Sequence, residues 1–175
     1  LLACFEPGGP DSEAFMNNGT DLVRGIMGPI GSGKSVACCA EIMMRSCEQA
    51  PGRDGVRRTR WAIIRNTYPE LKSTTIKTWL DWFPESVFGR MTWDAPITHH
   101  IAFNEPNLGR VEIEVLFLAL DRPDHVKKLL SLEVTGVWIN EARSVPKAIV
   151  DAATGRVGRY PSKRDKPDEV PADQW

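Results

Sequence analysis

Eight consecutive residues constrain this chain more than anything else in it: Gly28-Pro29-Ile30-Gly31-Ser32-Gly33-Lys34-Ser35. They fit G-x-x-x-x-G-K-[ST], the Walker A phosphate loop, whose glycines let successive backbone N–H groups curl around phosphate oxygens with no Cβ in the way. The motif demands a strand before it and a helix after it, because the helix N-terminus must aim its positive end at the same anion. The flanks agree. Leu22 to Met27 is a short apolar stretch that predicts a buried strand. Lys34 to Gln49 is a helix-favouring mixture, stopped by Pro51 and Gly52. Lys34 places a mobile charge on the β and γ oxygens of a nucleotide, and Ser35 offers a hydroxyl to Mg²⁺.

The rest of the chain alternates strand and helix. Trp61–Ile64, Ile97–Phe103, Val111–Leu120 and Val134–Ile139 read as strands. Ser73–Phe83, Asp124–Leu132 and Pro146–Ala153 read as helices. That alternation argues for a mainly parallel α/β sheet flanked by helices. The loop Asn104–Gly109 makes the 97 to 120 region an antiparallel hairpin, read as an elaboration of that plan. Residues 1 to 20, rich in Pro, Gly, Asn and Asp, read as a loop or approach segment. Residues 21 to 162 read as the nucleotide-binding domain, and 163 to 175 as a polar linker or truncated continuation of a longer protein.

Composition excludes the extremes. The chain has 175 residues, 42% apolar and 26% charged, with a net charge of −1. It is too apolar for wholesale disorder, its longest apolar run falls far short of a membrane span, and it is not a strongly basic nucleic-acid binder overall. Local basic runs at 53 to 60 and 156 to 166 could still touch phosphates. Cys4, Cys38, Cys39 and Cys47 have neither CxxC nor zinc spacing, so reduced thiols are expected. His99 and His100 are neighbours on a strand, face opposite ways, and are assigned a structural role.

A second half of a nucleotide-hydrolysing site is legible in Val137-Trp138-Ile139-Asn140-Glu141: an apolar strand ending in two polar residues, the Walker B shape. Glu141 is the candidate base, able to polarise an attacking water. Asn140 stands where an Asp is common; it can accept from a metal-bound water but supplies no charge, and Ser35 and Asn140 are the candidate metal residues. Positive charge for the transition state could come from Arg65, Arg143, Arg156 or Arg159, the last two in the Gly-containing segment Thr154-Gly155-Arg156-Val157-Gly158-Arg159.

Taken in order, Gly28 to Ser35, Trp61-Ala62-Ile63-Ile64-Arg65-Asn66-Thr67-Tyr68, Gly136 to Arg143 and Thr154 to Tyr160 resemble the ATPase domain of the large terminase subunit of tailed bacteriophages. The likeness runs from about Leu22 to Ser162. It implies a P-loop NTPase fold of the RecA/ASCE type, with an antiparallel hairpin insertion. It also implies a motor that hydrolyses ATP with Mg²⁺ to drive double-stranded DNA through a portal protein into a procapsid. The motor would work with a small terminase subunit, as a homo-oligomeric ring in the host cytoplasm during phage assembly, with no membrane. By this likeness Lys34 and Ser35 bind phosphate and Mg²⁺, and Glu141 activates water; the full candidate set is Gly28 to Ser35 and Arg65 for nucleotide binding, and Lys34, Glu141, Arg156, Arg159 and Lys128 for catalysis. Lys128 or Arg122 would replace the arginine that the family places shortly before the Walker B strand. The family's C-terminal nuclease domain does not fit in the remaining residues, so DNA cleavage is not expected. Other motor NTPases (a helicase or remodeller), a nucleotide kinase and an inactive nucleotide-binding module stay open at this point.

Overall fold

A computed structural model describes residues 7–170. A five-stranded sheet forms its centre, with β1 at Arg57–Arg65, β2 at Met91–Thr92, β3 at Ile97–Glu105, β4 at Gly109–Ala119 and β5 at Gly136–Ile139. The spatial order is β2-β3-β4-β1-β5. β1 pairs in parallel with both β4 and β5, while β3 runs antiparallel to β2 and β4. Four strands therefore point one way and β3 alone points back. The expected antiparallel hairpin is β3–β4, and its second strand, the longest of those described, sits at the middle of the sheet between β3 and β1.

Alternation along the strands sorts the side chains into two cores. On one face Ile63 of β1 and Val111, Ile113, Val115 and Phe117 of β4 meet α2 (Lys34–Glu48) and α4 (Lys77–Trp82) through Cys39, Ile42, Met43 and Trp79; α3 (Tyr68–Glu70) and α5 (Glu85–Phe88) are single turns before and after α4 in the chain. On the other face Ala62, Ile64, Leu118 and Leu120 meet α6 (Val126–Leu130) and α7 (Lys147–Thr154). These two short helices cover only the C-terminal half of their face. The uncovered half carries charge instead: Arg58 and Arg60 stand in register opposite Glu112 and Glu114 and form ion pairs with them.

That ladder takes up most of the basic run at 53 to 60. Residues 57 to 60 belong to β1. Arg58 also pairs with Asp54, Arg53 reaches Asp168, and Arg57 donates to the Leu108 and Gln49 carbonyls. The run is largely neutralised by the chain itself and binds the segment after α7 to the sheet.

Two expectations near the N-terminus are overturned. Residues 10 to 17 form a helix, α1 (Pro10–Asn17), with Pro10 at its start and Asp11 and Glu13 in its first turn, as helix geometry and its dipole favour. α1 lies on the far side of α2, with Met16 against Ala37 and Ala40, so α2 is covered from two sides. Leu22 to Met27 is not a strand. Leu22, Val23 and Met27 are 72%, 70% and 91% exposed, because no described strand lies beside them. The segment is tied down by polar contacts. Arg24 donates to the Phe15 carbonyl and pairs with Glu41 of α2, and Arg45 bonds both Glu41 and the Met16 carbonyl.

Cys38, Cys39 and Cys47 are buried and unbridged; burial pushes the Cys38 thiol up to about 12 and Cys39 higher still. Cys4 lies outside the described residues. His99 is buried and His100 exposed, as neighbours on a strand should be. Among the described residues no helix is long and apolar enough to cross a membrane.

Candidate functional site

The phosphate loop has the backbone that its sequence demands. Gly31 and Gly33 have φ of 82° and 78°, in the left-handed region that suits glycine. Gly33 is the N-cap of α2 and supplies no side-chain cap, so the first N–H groups of that helix are left for an anion. A Cβ on Gly28 would come 3.0 Å from Ser32 Oγ, so the loop closes tightly there and a larger residue would push the Ser32 hydroxyl aside. Lys34 Nζ donates to the Gly28 carbonyl at 2.9 Å, to the Pro29 carbonyl at 2.6 Å and to Ser32 Oγ at 3.1 Å. Its charge is held at the loop mouth by weak neutral acceptors that phosphate oxygens can replace. Ser35 is half-buried in the first turn of α2. A cavity of about 170 Å³ lies between the loop and the chain that enters α1.

The orientation of α2 decides which end of the sheet the loop serves. The far end of α2 meets the beginning of β1, where Ser46 Oγ is 2.8 Å from Thr59 Oγ1 and 2.9 Å from Trp61 Nε1. α2 therefore runs against β1, and its N-terminus returns to the C-terminal end of β1. Twelve helical residues at about 1.5 Å each cover nearly the length of six strand residues at about 3.3 Å. At that end three strand termini are stitched level: Leu120 N–H donates to the Arg65 carbonyl and Asn140 N–H to the Ile64 carbonyl. The fold thus brings Gly28–Ser35, Arg65, Asn140 and Glu141 to one end of the sheet.

Each of these residues has a distinct setting. Glu141 has φ 56° and ψ 55°, the only left-handed non-glycine residue among those described. Such a conformation costs about 1–3 kcal/mol and concentrates at functional sites. Its carboxylate is 44% exposed and lies 3.5 Å from Arg143 Nε, which is itself almost fully exposed. Asn140 Nδ2 donates to Thr75 Oγ1 at 2.8 Å, leaving its carbonyl oxygen as the group that could face a metal-bound water. Arg65 is 14% exposed and lies 3.7 Å from Glu70 Oε2; its Nε and the neighbouring Asn66 Oδ1 are buried without hydrogen-bond partners among the described residues.

Other candidates are placed elsewhere. Lys128 is exposed on α6, in the helix that leaves the same end of the sheet. Arg122 is exposed beside Asp121. Arg156 and Arg159 lie at the opposite end: the Arg156 carbonyl accepts from Val134 N–H and Arg159 N–H donates to the Val134 carbonyl, before β5 begins. Seven extended residues, about 20 Å, separate Val134 from Glu141, so these arginines do not join Glu141 within one chain. Sequence reasoning missed Thr75, and a wider helical turn that carries it leaves no mark in residue type. Among the described residues no group of three His, Cys, Asp or Glu side chains converges on a metal position.

No protein-family model and no curated protein sequence matches this chain. Among solved structures it is similar to the large terminase from a thermophilic bacteriophage, with a TM-score of 0.62 and 14% identity over 85% of this chain. The match covers 35% of that terminase, so this chain spans about a third of its length. Over the matched region, then, the chain has the fold of a phage large terminase.

Proposed function

We propose that this chain binds ATP at Gly28–Ser35 and hydrolyses it with Glu141, as the motor part of a terminase-type machine that moves double-stranded DNA into a procapsid. The observation that carries the reading is the convergence of the phosphate loop, Arg65, Asn140 and Glu141 at one end of the sheet. Backbone N–H groups at Gly31 and Gly33 and at the start of α2 hold the phosphates, and Lys34 exchanges the Gly28 and Pro29 carbonyls for phosphate oxygens. Mg²⁺, with Ser35 and the Asn140 carbonyl among its neighbours, would neutralise charge on the phosphates. Glu141 accepts a proton from the attacking water. The nucleoside end occupies the cavity beside the chain entering α1. Arg65, Arg143 and Lys128 are further cations at this end, and Arg156 and Arg159 are left to act on a neighbouring copy in a ring or on DNA. The portal protein and small terminase subunit are the proposed partners, in the host cytoplasm.

The test separates binding from chemistry. Lys34→Ala should abolish nucleotide binding, whereas Glu141→Gln should bind ATP normally and lose turnover by about a hundredfold or more. Equal loss of binding in both variants would overturn the assigned roles. Normal ATP affinity with no turnover in the wild-type chain, alone or assembled on DNA, would favour a nucleotide-binding module.

A further inference from the structure

Glu141 leaves the sheet in a strained conformation, and something must hold it there. The chain before it is clamped twice at Asn140: its N–H bonds the Ile64 carbonyl at 2.9 Å and its Nδ2 bonds Thr75 Oγ1 at 2.8 Å. The chain after it closes through Ser144 N–H on the Glu141 carbonyl at 2.9 Å, in the 3₁₀ turn Ala142–Ser144. One of these clamps comes from outside the strand pair, and it is the Thr75 hydroxyl.

Thr75 is 1% exposed. It lies in a π-helical stretch, Leu71–Ile76, between the single helical turn Tyr68–Glu70 and α4. In an unbroken α-helix, positions 71, 75 and 79 would share one stripe, and Thr75 would enter the apolar layer beside Leu71 and Trp79. The wider winding gives that place to Ile76, which joins the main core, and turns Thr75 towards the end of β5. Its neighbour Thr74 spends its hydroxyl on its own helix, 2.7 Å from the Glu70 carbonyl; Thr75 instead accepts from another element. π-helical turns are rare and recur at functional sites. The contact also gives Asn140 a task that an aspartate, with no N–H, could not perform in the same way.

We infer that Thr75 is a positioning residue for Glu141, acting through the Asn140 carboxamide, and that the π-helical stretch exists to present it. The task of Glu141 rests on the hydrolase reading above; the positioning itself rests on geometry. Thr75→Val removes the hydroxyl and keeps the shape, and Thr75→Ser restores the hydroxyl. Both are studied in the full chain, with side-chain and backbone amide NMR signals for Asn140, Glu141 and Ala142, nucleotide affinity, and ATP turnover.

In Thr75→Val the Asn140 side-chain amide should lose its hydrogen-bonded shift, and the Glu141 and Ala142 amides should move. The kcat should fall about ten- to a hundredfold, with the KM for ATP unchanged, as expected for a displaced catalytic group. Thr75→Ser should recover both. Unmoved Asn140 and Glu141 signals in folded Thr75→Val overturn the inference whether or not the protein hydrolyses ATP. Moved signals with unchanged turnover in an active enzyme overturn it as well. Moved signals in a protein whose wild type never turns over ATP support the positioning and overturn the hydrolase reading. If Thr75→Val does not fold, Asn140→Ala is measured in its place. It removes the clamp from the other side, and unmoved Glu141 and Ala142 signals there also overturn the inference.

Discussion

Glu41 should be worth more to this fold than any exposed ion pair, although it lies far from the strand ends. It sits on α2 with a side chain 6% exposed, and its Oε1 accepts from Arg24 and, at 2.7 Å, from Arg45 Nε. Both arginines reach further, to the Phe15 and Met16 carbonyls, so one carboxylate joins α2, α1 and the segment that leads into the phosphate loop. Glu41→Ala leaves Arg24 without its anion and Arg45 with Glu48 alone. Breaking a fully buried pair from one side costs about 3–5 kcal/mol. Here the arginine side chains keep 19% and 24% exposure and regain some hydration, which lowers the expected loss to about 2–3 kcal/mol. For a chain of this size that is about 5–10 °C in Tm. Glu41→Gln keeps an acceptor for both arginines but places an amide N–H where Oε2 is buried without a partner, so it should recover only part of the loss. Urea and thermal unfolding give the totals, and hydrogen exchange should show faster opening in residues 10 to 27. If Glu41→Ala unfolds within about 1 °C of the wild type, the carboxylate does not organise this region and the reasoning fails.

Two further outcomes follow from single contacts. A Cβ at Gly136 would lie 2.1 Å from Trp61 Cζ3, and the indole is anchored to Ser46. Gly136→Ala should therefore cost about 1–3 kcal/mol by overpacking, and most of that cost should vanish in the double variant with Trp61→Val; an unshifted urea midpoint in the single variant would refute the steric argument. His99 accepts from Trp79 Nε1 and donates to the Gly89 carbonyl. Burial holds its pKa below the ordinary 6.5, against the opposing pull of the Gly89 carbonyl and Glu85. The unfolded chain then binds this proton more readily, so the contribution is complete above about pH 6.5 and declines as the pH falls through and below it. Unfolding free energies between pH 7.5 and 5.5 should slope less in His99→Gln, and equal slopes would remove His99 as the cause.

What was legible in the sequence is what residue type alone can encode. The glycines of the phosphate loop, the helix after it, the apolar cores of β1, β4 and β5 and the polar pair that ends β5 all have positions that only a few residue types can fill. Partnership is not encoded in this way. Leu22 to Met27 has the composition of a buried strand, but composition states a need for cover and not where cover comes from; in the described residues β5 ends the sheet and that segment stays in solvent. β1 begins at Arg57 rather than Trp61 because glutamates more than fifty residues later stand in register with its arginines, which no local window can see. The start of α1 did carry a signal, a proline followed by two acids, and the surrounding Gly and Asn residues outweighed it in the reading. The π-helical turn had no signal, since Leu-Lys-Ser-Thr-Thr-Ile suits ordinary helix equally well.

The arginines make the same point about function. A run of four in eight residues invites a nucleic-acid surface, yet each of them has a partner: Asp168, Asp54, Glu112, Glu114 or a backbone carbonyl. Arg60 also stacks 4.2 Å from the Tyr160 ring, so the run fastens the chain after α7 to the beginning of the sheet. That is the end away from Glu141, and it is where Arg156 and Arg159 are placed. These two have no acidic partner among the described residues. The fold thus separates its positive charge by location: Lys34, Arg65, Arg143 and Lys128 at the end that carries Glu141, and Arg156 and Arg159 at the other, beside the densest cluster, which the chain itself cancels. Charge count along the chain is therefore a poor guide to what this protein can touch, and register across the sheet is a better one.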